Sequence, residues 1–146
     1  PTDWITNAQP SMGVAYADYD LDGLVDIVVG NFGVNYTLYR NTGEGSTNNN
    51  WITIRLEGRP PINRDALGAR VFVTTPDGTT RMQEVKSGSS LGAGNDTALH
   101  FGLGQSTTST IRVKWPDGTE ETFEGITKNQ TWHVIYERGV PFSLGF

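Results

Sequence analysis

The chain has no cysteine in its 146 residues, which excludes a disulfide framework, thiolate zinc sites and thiol catalysis. No apolar run approaches the roughly 18 residues that a membrane-crossing helix needs, and no stretch reads as a signal peptide. Lys and Arg number 11 against 16 Asp and Glu, a formal net charge of -5, and the basic residues are scattered. That pattern excludes nucleic acid, whose phosphates require clustered cations. A long helical period is also missing, because 18 glycines and 7 prolines cut the chain into short segments.

What fills those segments is strand-forming sequence. Runs rich in β-branched and aromatic residues recur about every ten residues, which predicts an all-β sandwich or barrel. They are Met12–Ala17, Asp26–Gly30, Thr37–Arg40, Trp51–Glu57, Ala69–Thr75, Arg81–Lys86, Ala98–Phe101, Ile111–Trp115, Glu121–Phe123 and Trp132–Tyr136. Several alternate: Ile52, Ile54 and Leu56 are apolar while Thr53 and Arg55 between them are polar, so one face is buried and the other wet. Pro76-Asp77-Gly78 and Pro116-Asp117-Gly118 read as hairpin turns. A polar break at Gly43–Asn50 reads as a linker or long loop.

The expected organisation is therefore a separate strand-rich motif at residues 1–45, a linker at 46–50, a β-sandwich at 51–138 and a tail at 139–146. The sequence leaves that tail open between a loose terminus and a segment whose Phe142, Leu144 and Phe146 pack back on a sheet. The start on Pro1 without methionine reads as a mature or excised piece of a longer chain.

The most specific signal is Asp18-Tyr19-Asp20-Leu21-Asp22-Gly23-Leu24-Val25-Asp26. Calcium is a hard cation that takes six to eight oxygens. Asp18, Asp20 and Asp22 alternate so that a tightly wound loop aims them at one centre, and Gly23 permits the turn. Leu24 supplies a backbone carbonyl and Asp26 the last carboxylate. An EF-hand would need an acid at position 12 and flanking helices, but that position is Val29 and both flanks read as strands. Without a cation, carboxylates so close would raise one another's pKa. Magnesium fits less well than Ca2+, because it holds its own water shell.

Gly13-Val14-Ala15-Tyr16-Ala17, the acidic loop, Ile27-Val28-Val29-Gly30-Asn31 and Leu38-Tyr39-Arg40-Asn41 together resemble one FG-GAP (VCBS-type) repeat. The resemblance implies a β-propeller-type strand–calcium loop–strand unit, with calcium between its strands. A single blade cannot bury both faces. It is therefore either the last repeat of a longer parent or a unit recruited to pack on the sandwich, and packing against upstream repeats is expected in the first case.

The remainder resembles the ASPIC/UnbV domain. The matching stretches are Asn50–Leu56, Asn63-Arg64-Asp65-Ala66-Leu67-Gly68-Ala69-Arg70-Val71, Ser87-Gly88-Ser89-Ser90, Leu99-His100-Phe101-Gly102-Leu103-Gly104 and Val113-Lys114-Trp115-Pro116-Asp117-Gly118. Leu91–Asn95 departs from the family's pattern. The fold implied is an Ig-like antiparallel β-sandwich, secreted or at a cell surface, bacterial, and binding a protein or a surface glycan without catalysis.

The remaining candidates read as structural. Ser89, Ser90, Asp96 and His100 lack the elbow a hydrolase triad needs, and His100 and His133 are too far apart in sequence to suggest a zinc site. Asn63-Arg64-Asp65 reads as a loop fixed by a turn or by pairing of Asp65 with Arg64 or Arg70, with ligation of a second cation by Asp65 as the alternative. Trp51, Trp115 and Trp132 read as core, and Trp4 as a staple on the first motif. The competing expectation is a self-processing or crosslinking module, with Lys86, Lys114 and Lys128 the available lysines.

Overall fold

Each of the ten runs becomes a strand in a computed structural model that describes residues 10–44 and 49–144. The strands are β1 (Ser11–Ala17), β2 (Asp26–Asn31), β3 (Thr37–Tyr39), β4 (Asn50–Glu57), β5 (Arg70–Thr74) and β6 (Thr80–Glu84). They continue with β7 (Leu99–Gly104), β8 (Thr108–Lys114), β9 (Glu120–Thr127), β10 (Gln130–Ile135) and β11 (Phe142–Leu144). The described residues form no helix, and none of their three sheets closes into a barrel. Trp4 and Phe146 lie outside the described residues.

The chain divides into two units. The first comprises residues 1–45 together with Ser87–Asp96, and the second comprises Ser46–Lys86 and Thr97–Phe146. The division expected from sequence was contiguous, whereas Ser87–Asp96 groups with the first unit by its contacts.

In the first unit β1, β2 and β3 form an antiparallel sheet in that order, leaving β1 at an edge. An uncovered edge strand presents unpaired amides and carbonyls. Ser87–Asp96 supplies partners for them: Ser90 Oγ accepts the Val14 N–H at 3.1 Å and Asn95 Oδ1 accepts the Tyr16 N–H at 3.0 Å. This approach demands glycine at position 13, because a Cβ there would sit 2.5 Å from the Leu91 carbonyl oxygen. Val14 pairs with Val29 and Tyr16 with Ile27, so these side chains share one face of the sheet. Val14, Tyr16 and Ile27 are all exposed on it, as is Met12 nearby.

The second unit holds two four-stranded sheets, ordered β11-β10-β4-β7 and β6-β5-β8-β9. Alternation along the strands sends Ile52 and Ile54, Val71 and Val73, Ile111 and Val113 into one buried cluster with Phe101 and Trp115. Both proline-initiated turns close hairpins. Gly78 and Gly118 take the left-handed conformation, and the Asp77 and Asp117 carboxylates accept the N–H of Thr79 and Thr119 at 3.0 and 2.9 Å.

Three expectations are corrected here. The unit is not purely antiparallel, because β10 pairs with β4 in parallel, Gln130 opposite Ile52 through Ile135 opposite Glu57. Trp51 is not core: it lies on the face of β4 opposite Ile52 and Ile54, half-buried and stacked on His100 at 5.6 Å between ring centroids. Arg70 pairs with Glu84 at 2.9 Å, not with Asp65. The Asn63 loop is instead fixed as a turn, in which the Asn63 amide holds both the N–H and the carbonyl of Leu67. The tail does return to a sheet, with β11 antiparallel to β10.

Candidate metal centre

The β1–β2 connection is wound tightly by two left-handed residues, Leu21 and Gly23. Asp18 organises it: Oδ1 accepts the Asp22 N–H at 3.1 Å and Oδ2 accepts the Gly23 N–H at 2.9 Å. Asp22 Oδ1 in turn accepts the Leu24 N–H at 2.9 Å. Winding of this kind brings one carboxylate oxygen each from Asp18, Asp20 and Asp22 within 4.8 Å of one another.

Asp26 sits apart from that trio. It is 2% exposed, and its oxygens accept the Asn41 N–H at 2.7 Å and the Tyr19 N–H at 3.3 Å. Its carboxylate thereby ties the entry of the loop to the chain that follows β3. Leu24, expected to contribute its carbonyl, is half-buried in the loop.

Sequence reasoning gave no role to Arg40. Its Nη2 lies 2.7 Å from Asp20 Oδ2 and 3.3 Å from Asp22 Oδ2. The Asp20 charge is the main reason that the Arg40 guanidinium holds its proton more tightly than usual. Asp18 has its carboxyl pKa pushed up, first by burial and then by the negative charge of Asp22, against the pull of the Gly23 N–H. The signal for Arg40 was present in Leu38-Tyr39-Arg40-Asn41, where a cation follows a strand that returns beside the acids.

The residues fit a hard divalent cation. Two oxygens each about 2.4 Å from calcium lie no more than about 4.8 Å apart, and the three carboxylates meet that limit. A guanidinium group already stands in for positive charge on two of them. Beside the loop opens a shallow cavity of about 230 Å³, lined by Ala15, Ala17, Val28, Leu38 and Asp96 among others.

The residues considered for hydrolysis are engaged elsewhere. Ser90 Oγ holds the Val14 amide, and His100 Nδ1 shares a hydrogen bond of 3.1 Å with Thr53 Oγ1. Among the lysines considered for crosslinking, Lys114 is exposed with its Nζ 3.8 Å from Glu120, and Lys86 is exposed.

Comparison with known proteins adds the family. A family profile described as ASPIC and UnbV matches residues 59–141. The chain belongs to the ASPIC and UnbV family. Human cartilage acidic protein 1 is 28% identical over 131 residues, which is 86% of this chain and 19% of that protein. Its Xenopus tropicalis counterpart is 30% identical over 107 residues, 73% of this chain and 16% of that protein. The chain thus spans less than a fifth of the length of these relatives. The ASPIC and UnbV match covers most of the second unit and all of Ser87–Asp96, and the acidic loop lies outside it. The human alignment takes in enough of the chain to reach into the first unit as well.

Proposed function

We propose that this ASPIC and UnbV chain is an extracellular, calcium-stabilised interaction module and not an enzyme. The observation that carries the reading is the convergence of Asp18, Asp20 and Asp22 within 4.8 Å on a loop whose backbone Asp18 and Asp22 organise. In this reading the three carboxylates and the Leu24 carbonyl ligate Ca2+, while Asp26, whose oxygens hold the Tyr19 and Asn41 amides, closes the loop as its last carboxylate. The first unit is then an FG-GAP/VCBS-type repeat, and the second an Ig-like β-sandwich.

Calcium acts structurally here. It cancels the repulsion of clustered carboxylates and rigidifies the hairpin between β1 and β2. The exposed face bearing Met12, Val14, Tyr16 and Ile27 is suited to packing against further repeats of a longer polypeptide, a reading supported by relatives several times longer than this chain. Kinship with the cartilage acidic proteins supports a secreted or cell-surface setting with a protein or surface-glycan partner.

Thermal melts with calcium and with excess chelator, on wild type and Asp20→Ala, test the reading. A ligand bound only by the folded state adds about 2.7 kcal/mol at a hundredfold excess over its dissociation constant. The wild-type melting temperature should rise with calcium and the variant's should not. Identical wild-type melts in both conditions would remove calcium from the account.

A further inference from the structure

A charged side chain lies where an incoming cation has to bind. Arg40 directly follows β3, and its neighbour Asn41 is fixed to the loop because the Asn41 N–H donates to Asp26 Oδ1 at 2.7 Å. The Arg40 backbone is therefore tethered beside the acids, while its side chain is 54% exposed. Its Nη2 contacts Asp20 Oδ2 and Asp22 Oδ2, spanning two of the three carboxylates in the cluster. We propose that Arg40 is a built-in competitor of the metal, balancing Asp20 and Asp22 when no ion is bound and leaving them when a divalent cation enters. The inference rests on the calcium reading given above.

Magnitudes decide the direction of exchange. An exposed ion pair contributes little, because water screens it and two side chains lose freedom to form it. A divalent ion carries twice the charge and takes the same oxygens at about 2.3–2.6 Å. Once it is seated, it occupies those oxygens, and its two positive charges offset most of the carboxylates' attraction for the guanidinium a few ångströms away. Arg40 thus weakens apparent calcium affinity while protecting the ion-free loop from its own charge. A weak competitor of this kind sets the calcium concentration at which the loop fills, without altering the ligands.

Calcium titration calorimetry and melts in chelator, on the whole chain, separate the possibilities. Arg40→Gln should bind calcium about two- to fivefold more tightly, the range an exposed ion pair can contribute, and should melt lower than wild type in chelator. Arg40→Lys keeps the charge on a single nitrogen, as Nη2 alone meets both carboxylates here, and should bind calcium closer to wild type than Arg40→Gln does. Asp20→Asn should lose the binding heat and so assign it to the loop. Arg40→Gln binding calcium as weakly as wild type, or more weakly, overturns the competitor role and leaves calcium in place. A wild-type protein without binding heat at millimolar calcium overturns both.

Discussion

Single side chains hold turns and layers together in ways that pH exposes. The Asp117 carboxylate is kept below the usual carboxylate range, first by the Thr119 N–H and then by the Tyr136 hydroxyl, which donates to Oδ2 at 2.7 Å. A depressed folded pKa contributes stability that is present above the unfolded value of about 3.9 and lost as pH falls through the folded one. Asp117→Ala should therefore melt lower at neutral pH, and its melting temperature should fall less than wild type's between neutral pH and pH about 3. His133 has the opposite chemistry and the same slope. Burial, then the Arg55 charge, pushes its pKa below the ordinary value, and its Nε2 is buried with no hydrogen-bond partner among the described residues. The unfolded chain takes up that proton first, so stability present above about pH 6.5 declines as pH falls toward the folded pKa. Urea midpoints at pH about 7.5 and 5.5 should separate more for wild type than for His133→Leu, and equal separations would show that another group titrates. The turn aspartates were legible in sequence because Pro-Asp-Gly has few conformations to choose among. The contacts of Arg40 with the acids and of Asp26 with Asn41 were not legible, because they depend on which atoms a distant strand brings back to the loop.

Strands were the most readable elements, since alternation and β-branched content report directly on a half-buried pleat. The pairing was less readable. Nothing local in Ser89-Ser90-Leu91-Gly92-Ala93-Gly94-Asn95 announces that two of its side chains satisfy amides of β1, some 76 and 79 residues away. A period of two identifies a strand but cannot identify what caps its edge. Gly13 gives that contact a sharp test. Replacement by valine would drive a side chain into the Leu91 carbonyl, and backbone cannot yield as a flexible side chain does. Gly13→Val should cost more than about 1 kcal/mol and should expose the Val14 and Tyr16 amides to hydrogen exchange. Unchanged protection at both amides would mean that the edge is held by something else.

Across the whole molecule, the all-β class and the buried residues were readable from sequence, whereas the strand order was not. Ile54 shows why the core was accessible to sequence reasoning: it alternates with Thr53 and Arg55, and it ends fully buried in the shared cluster. Ile54→Ala should remove about 2–5 kcal/mol of stability by leaving a cavity in close-packed surroundings, measured as a lower urea midpoint with an unchanged slope. The parallel match of β4 with β10 lay beyond that reasoning, because two strands almost eighty residues apart carry no local mark of their direction. Their pairing has a mechanical consequence. Pulling the N-terminal end of β4 away from the C-terminal end of β10 loads the hydrogen bonds from Ile52–Gln130 to Glu57–Ile135 side by side, in shear. The three-residue β11, antiparallel on the outer flank of β10, peels first when the pull comes from its far end. In single-molecule stretching the second unit should yield in two stages, a soft release of β11 followed by one high-force rupture of the β4–β10 clamp.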